Sequence, residues 1–280
     1  MTKKRIVITG AAGLVGQNLI PRLKVRNSGE IVALDKHPKN TAILKQLHPE
    51  LRVLEADMAE AGDWQQELDG CTHLVIGHAQ IGGLYSDKFV RNNVTATERL
   101  LEAALRYKVP YVVSISSSVV NSLAVDDYTE TKKAQEALIA ASGIKQVVLR
   151  PTLMFGWFDR KHVGWLARFM QKVPVFPIPG SGRYLRQPLY VGDFCSIISA
   201  ALEDEITGAY NITGQVLNTI NSATQCNVIL SPSATLCCHL RRWQCESVQS
   251  NRHRGQRELL PCHTTRHAGP HRAVRKVEVK

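Results

Sequence analysis

Eight residues near the amino terminus, Thr9-Gly10-Ala11-Ala12-Gly13-Leu14-Val15-Gly16, restrict the fold of this chain more than any other segment. They follow the apolar run Arg5-Ile6-Val7-Ile8 and lead into a helical pattern over 15–26, with apolar positions at Val15, Leu19, Ile20 and Leu23. A strand passing through three glycines into a helix has a physical purpose. Gly10 permits the tight turn, Gly13 lets the backbone approach a pyrophosphate, and Gly16 lets the helix pack closely on the strand. The helix N-terminus then offers unpaired N–H groups and its positive dipole end to phosphate. Gly10, Ala12, Gly13, Leu14, Val15 and Gly16 are therefore candidate cofactor contacts. Asp35 ends the next apolar run, 25 residues past Gly10. A carboxylate there accepts hydrogen bonds from adenosine ribose hydroxyls and repels a 2′-phosphate, favouring NAD over NADP. Lys36 and His37 beside it leave NADP open.

The strand-then-helix rhythm continues. Apolar runs at 30–34, 51–54, 72–76, 111–115 and 146–149 read as strands, and helical patterns cover 93–107 and 128–141. Continuous Val/Ile/Leu runs mark strands buried on both faces of a parallel sheet. The expected fold is α/β, a doubly wound, Rossmann-like parallel sheet over residues 1–150. Residues 151–214 turn to Pro- and Gly-rich loops around one helix at 192–202, read as a small substrate lobe interleaved with the sheet. The longest apolar runs fall well short of the roughly 18 residues of a membrane span. After the basic start, Ile6-Val7-Ile8 is too short for a signal-peptide core, so a cytoplasmic location is expected.

A second constellation lies further on. Tyr128 and Lys132 are one helical turn apart and share a face. An ammonium beside a phenol favours the phenolate and is expected to lower its pKa, giving an acid/base usable near neutral pH. The same ammonium can hold a nicotinamide ribose. Ser116-Ser117-Ser118 closes the fifth strand, where a hydroxyl could orient a substrate alcohol or carbonyl.

With these residues in order, the chain resembles the extended short-chain dehydrogenase/reductase superfamily, specifically its NAD-dependent epimerases and dehydratases acting on nucleotide sugars. Residues 9–16 resemble the family's glycine loop. Glu55-Ala56-Asp57, followed by Met58, resembles the segment that touches adenine. Ile76-Gly77-His78-Ala79 resembles a further cofactor stretch, and Asn93-Val94-Thr95-Ala96-Thr97 a family helix. Ser118 matches the catalytic hydroxyl of the serine cluster. Tyr128, Lys132 and Glu136 fit Y-x-x-x-K-x-x-x-E, and Arg150-Pro151 with Gly156 fits the sixth-strand signature. Arg186 to Asp193 resembles a block that contributes to substrate binding, and Tyr210-Asn211-Ile212 resembles the last one. The resemblance implies Ser118, Tyr128 and Lys132 as catalytic, Asp57, Met58, His78, Ala79 and Pro151 beside the cofactor, and Ser118 and Arg186 beside substrate. It also implies a homodimer built on the helices at 93–107 and 128–141. Two departures stand out: the interval from Ser118 to Tyr128 is only ten positions, and Gln187-Pro188 follows Arg186.

Composition separates off the end of the chain. Of the net charge of +11, residues 216–280 carry +7, with ten Lys and Arg against three Asp and Glu, and five of the seven cysteines. This atypical basic, Cys/His-rich tail over 215–280 is expected not to be a native family domain, and reads as a frameshifted end. A zinc module would need Cys-x-x-Cys pairs that are lacking, and a nucleic-acid arm would need aromatics beyond Trp243. Neither a metal nor a nucleic-acid partner is expected. The sequence thus indicates an NAD-dependent epimerase or dehydratase for a nucleotide-sugar-like substrate. A carbonyl reductase using NAD(P)H and a non-catalytic dinucleotide-binding scaffold are the alternatives.

Overall fold

The computed structural model describes residues 4–173, 185–214 and 218–219. The charge-rich tail read from the sequence, apart from two strand residues, lies outside the described residues.

Strand β1 (Arg5–Thr9) leads through the glycine loop into α1 (Leu14–Val25). Then come β2 (Glu30–Asp35), α2 (Pro38–Leu47), β3 (Arg52–Glu55), a 3₁₀ turn at Asp63–Leu68, and β4 (His73–Ile76). A short α3 (Ser86–Phe89) runs through a π-helical turn (Val90–Thr95) into α4 (Ala96–Arg106). Next are β5 (Tyr111–Ile115), a 3₁₀ turn at Ser118–Asn121, α5 (Asp127–Ala141) and β6 (Lys145–Pro151). The later segment holds β7 (Met154–Phe155), α6 (His162–Met170), β8 (Leu185–Arg186), β9 (Leu189–Tyr190), α7 (Val191–Asp204), β10 (Gly208–Ile212) and β11 (Asn218–Thr219).

Seven strands form one parallel sheet in the order β10-β6-β5-β4-β1-β2-β3. The order reverses between β1 and β4, and ligands of such sheets bind at that switch point, outside the carboxyl ends. Two cores explain the continuous apolar runs. Ile6 and Ile8 of β1 face a core shared with Leu19 and Leu23 of α1 and Phe194 and Ile198 of α7. Val7, between them, faces the other side, with Leu100 and Ala104 of α4 and Ile139 of α5. The seventh strand is an addition to the sequence reading. Among the described residues β10 is an edge strand paired with β6 alone, and all of it but Ile212 is exposed, so it lacks the buried run that marks its neighbours. Helix α2 is likewise an addition: Pro38 opens it, and only Thr41 and Leu44 are buried. Among the described residues no helix is long and apolar enough to cross a membrane.

Candidate active site

The glycine loop leaves β1 at the switch point. Gly10 has φ +64°, and a Cβ there would stand 2.6 Å from the Gly77 carbonyl oxygen, so β1 and the end of β4 meet backbone to backbone. A side chain at Gly16 would stand 2.3 Å from the Ala11 carbonyl oxygen, because the first turn of α1 lies against the loop. Leu14 and Val15 pack on the adjoining core. Gly13 is the N-cap of α1; no side chain caps the helix and its first turn carries no acidic residue. The leading N–H groups of a twelve-residue helix are thus left to an external acceptor.

Asp35 is buried at the end of β2. One carboxylate oxygen accepts from the Ala12 N–H at 3.0 Å, the other from the His37 N–H at 3.0 Å. The acid read as a ribose ligand therefore also fixes the loop that would hold the phosphates. An uncapped helix, a Cβ-free Gly13 and a carboxylate at the neighbouring strand end together fit a dinucleotide. Asp57 lies after β3, bonded to Arg91 at 2.7 Å, to the Ala59 N–H at 3.0 Å, and 3.7 Å from the Lys36 ammonium. Burial raises its proton affinity, but these donors outweigh it and hold the carboxyl below its usual range. Met58 turns into the core beside Ala59 and Trp64, while Ala79 is exposed.

His78 is buried between two hydroxyls, with Nδ1 2.9 Å from Thr9 Oγ1 and Nε2 3.2 Å from Thr97 Oγ1. Burial, with the positive charges of Lys132 and Lys36, pushes its pKa down to about 3, so it stays neutral. Thr97 also accepts from Gln135 Nε2 at 2.8 Å and donates to the Asn93 carbonyl at 2.7 Å. Gln135 Oε1 accepts from Lys132, whose ammonium also donates to the Ile115 carbonyl at 2.9 Å. Lys132 is only 1% exposed, and burial lowers its pKa to about 8 against a partly opposing Glu136.

The three serines divide. Ser116 donates to Glu136, which Arg150 clamps through Nε at 3.0 Å and Nη2 at 2.6 Å. Ser117 hydrogen-bonds the Tyr128 phenol. Ser118 begins the 3₁₀ turn and is half-buried. Contrary to the lowering expected from the sequence, Tyr128 is pushed above its ordinary pKa. Burial dominates, the Ser117 bond offsets part of it, and Asp126 adds to the rise. The physical reason is burial of the phenol; the Lys132 ammonium donates to Ile115 and Gln135 and is not among the groups that set the shift.

Tyr128 is placed by the start of α5. Asp126 caps that helix, accepting from the Thr129 N–H and hydroxyl at 2.9 Å each. Pro151 ends β6 and is buried, and Asn18 of α1 donates to the Trp157 carbonyl beyond it at 2.9 Å. Arg186 is paired through its backbone with Asn218; its side chain lies outside the described residues. Thr9, Thr97, Gln135, Ser117 and Arg91 were not singled out as site residues from the sequence. The available signal was a polar Gln135 on the helix face that buries Lys132 and Ile139. At the opposite, amino end of the sheet a polar hollow is lined by Arg5, Glu30, Arg52 and Glu67, whose charges pair with one another.

A family model, curated proteins and solved structures match this chain. The model of the NAD dependent epimerase/dehydratase family matches residues 6–213. A low-salt glycan biosynthesis protein of Haloferax volcanii is 25% identical over 240 residues, covering 74% of this chain and 76% of that protein. An uncharacterised UDP-glucose epimerase of Bacillus subtilis is 26% identical over 259 residues, covering 80% and 79%. Among solved structures, the UDP-glucuronic acid 4-epimerase from Bacillus cereus in complex with NAD superposes with a TM-score of 0.73. Its identity is 25%, over 82% of this chain and 85% of that one.

Proposed function

The protein belongs to the NAD-dependent epimerase/dehydratase family, and we propose that it acts on a nucleotide sugar, with Tyr128 as its acid/base. NAD, when bound, supplies a reversible hydride acceptor. The glycine loop and the uncapped start of α1 would hold its pyrophosphate, Asp35 its adenosine ribose, and the segment at Asp57 and Met58 its adenine side. Lys132 would hold the nicotinamide ribose with an N–H beyond the two committed to Ile115 and Gln135. His78, Ala79 and Pro151, at the ends of β4 and β6, would line the cofactor crevice.

Tyr128 exchanges a proton with the substrate hydroxyl whose carbon gives up hydride. Its phenol is the protonated form at neutral pH, so acting as a base requires stabilisation of the phenolate. The Ser117 hydroxyl supplies one donor to that oxygen, and Ser118, next in the chain, orients the substrate hydroxyl. Arg186 would meet the nucleotide end of the substrate. One observation carries this reading: a largely buried phenol, bonded to a strand-end serine and one helical turn from a buried ammonium, stands at the carboxyl edge of the sheet whose first strand leads into an uncapped glycine-loop helix.

The test is turnover of UDP-glucose and UDP-glucuronic acid, followed by proton NMR with catalytic NAD. Tyr128→Phe should lose about 10²–10⁴-fold in rate while NAD affinity, measured by calorimetry, is retained. Unchanged turnover removes Tyr128 from the mechanism. Stoichiometric consumption of NADH instead of catalytic use would identify a reductase.

A further inference from the structure

The hydrogen-bond network around Lys132 has a direction that can be worked out from donor and acceptor capacity. Thr97 has one hydroxyl proton, and its 2.7 Å contact with the Asn93 carbonyl requires that the proton go there. Thr97 Oγ1 can then only accept from its other neighbours. Gln135 must present its NH₂ to Thr97, at 2.8 Å, and so must turn its carbonyl oxygen to Lys132. His78 must likewise present Nε2–H to Thr97, leaving Nδ1 to accept from Thr9. Gln135 and Thr97 are 1% and 0% exposed, so water does not compete for these bonds. The amide of Gln135 has one orientation, and it offers the lysine a neutral acceptor.

We propose that Gln135 is a positioning residue for the reaction: its carboxamide, oriented by Thr97, holds the Lys132 amine against the end of β5 without fixing its charge. The inference rests on the role given to Lys132 above. An ammonium has three N–H groups and an amine two. The Ile115 carbonyl and Gln135 Oε1 satisfy two in either state, so the side chain can lose its proton without losing its place. A carboxylate at this position would instead pin the positive charge, and an apolar side chain would leave one buried N–H without an acceptor.

The groups that could override Gln135 are few. On α5 itself they are Tyr128 and Glu136. From β6 there is Arg150, bound to Glu136, and from the end of β4 the neutral His78. Among the described residues Glu136 is the negative charge that acts on the lysine, and its oxygens are already engaged by Arg150 and Ser116. The buried surroundings of Lys132 bring its titration to about pH 8, where a change of acceptor is readable.

The experiment uses the full chain labelled with ¹³Cε-lysine, the Lys132 resonance being identified by its loss in Lys132→Arg. Its titration midpoint is followed by NMR in wild type, Gln135→Glu and Gln135→Met. Gln135→Glu should raise the midpoint by about one to three pH units, the effect of an opposite charge within reach. Gln135→Met keeps the volume, removes the acceptor, and should move the midpoint below that of wild type. If Gln135→Glu fails to fold, Gln135→Met decides alone. Midpoints that coincide with wild type in the folded variants overturn the proposal and leave Gln135 a packing residue. The high-pH limb of kcat/KM on the nucleotide sugar should move in the same order. Shifted midpoints in a protein that does not turn over nucleotide sugars would retain Gln135 as the holder of Lys132 and refute the assigned function instead.

Discussion

Gly16→Ala sets two physical effects against each other. Gly16 is in the first turn of α1, and on helix propensity alone alanine should stabilise the protein by about 1 kcal/mol. The structure demands the opposite sign. The new Cβ would stand 2.3 Å from the Ala11 carbonyl oxygen, 2.5 Å from its Cα and 2.6 Å from its carbonyl carbon, all backbone. Reaching ordinary contact at 3.4 Å needs a separation of about 1 Å between α1 and the loop. Ala11 has nowhere to go: it is fully buried and its N–H is bonded to the Leu34 carbonyl at 3.2 Å. Overpacking of this kind costs about 1–3 kcal/mol, so the expected net change after the propensity gain is a loss of up to about 2 kcal/mol. Moving the helix start should also weaken NAD binding by at least about tenfold, since the donors no longer meet the pyrophosphate. Gly13→Ala is the control. Its φ of −83° suits any residue, and its Cβ meets only the Gly10 carbonyl, at 3.1 Å. Stability should change by less than about 1 kcal/mol, while the methyl group obstructs the pyrophosphate face. Urea unfolding followed by tryptophan fluorescence, paired with calorimetric NAD titration, reads both effects. A Gly16→Ala protein that is more stable than wild type and binds NAD normally would refute the steric argument.

Two other perturbations test the electrostatics. Lys132 has its folded pKa near 8, below its ordinary 10.5, so the folded state releases this proton first and the group's penalty on stability falls as pH rises from 8 towards 10.5. The stability difference between Lys132→Met and wild type should therefore shift by about 1 kcal/mol in favour of wild type from pH 7 to 9, and a pH-independent difference in urea unfolding would count against a buried titrating amine. Asp35→Asn removes one of the two oxygens that accept from Ala12 and His37; NAD affinity should fall about tenfold with a relative gain for NADP, measurable by calorimetry with each cofactor.

What could be read from the sequence follows from how local each determinant is. Residues 5–8 declare a central strand because both faces of β1 are buried, and the glycine loop declares its turn because the steric demand at Gly10 and Gly16 arises within a few residues. β10 carries no buried apolar run because an exposed edge strand needs only its pairing with β6. In the site, Tyr128 and Lys132 were legible as a helical pair. The direction of the tyrosine's shift was not, because it depends on how far the phenol is buried, and neither was the destination of the ammonium. That destination is set by Ile115, seventeen residues back, and by a Gln135 whose orientation comes from Thr97. No window of sequence contains those three partners in sequence order with a recognisable spacing.

The same network explains how the crevice handles charge. Around the switch point Asp57 is paired with Arg91 and Lys36 and Glu136 with Arg150, while Asp35 is held by the backbone N–H groups of Ala12 and His37. His78 is held neutral, and Thr9, Thr97, Gln135 and Asn93 carry no charge. The glycine loop from 10 to 16 contains neither lysine nor arginine. A dinucleotide's phosphates must then be met by backbone N–H groups and the α1 dipole, which do not change with pH. The buried amine of Lys132 is the group in this set whose charge can change near neutral pH. Phosphate binding and the change of charge thereby fall to different groups, so a change at Gln135 retunes Lys132 and leaves the backbone donors of the glycine loop as they are.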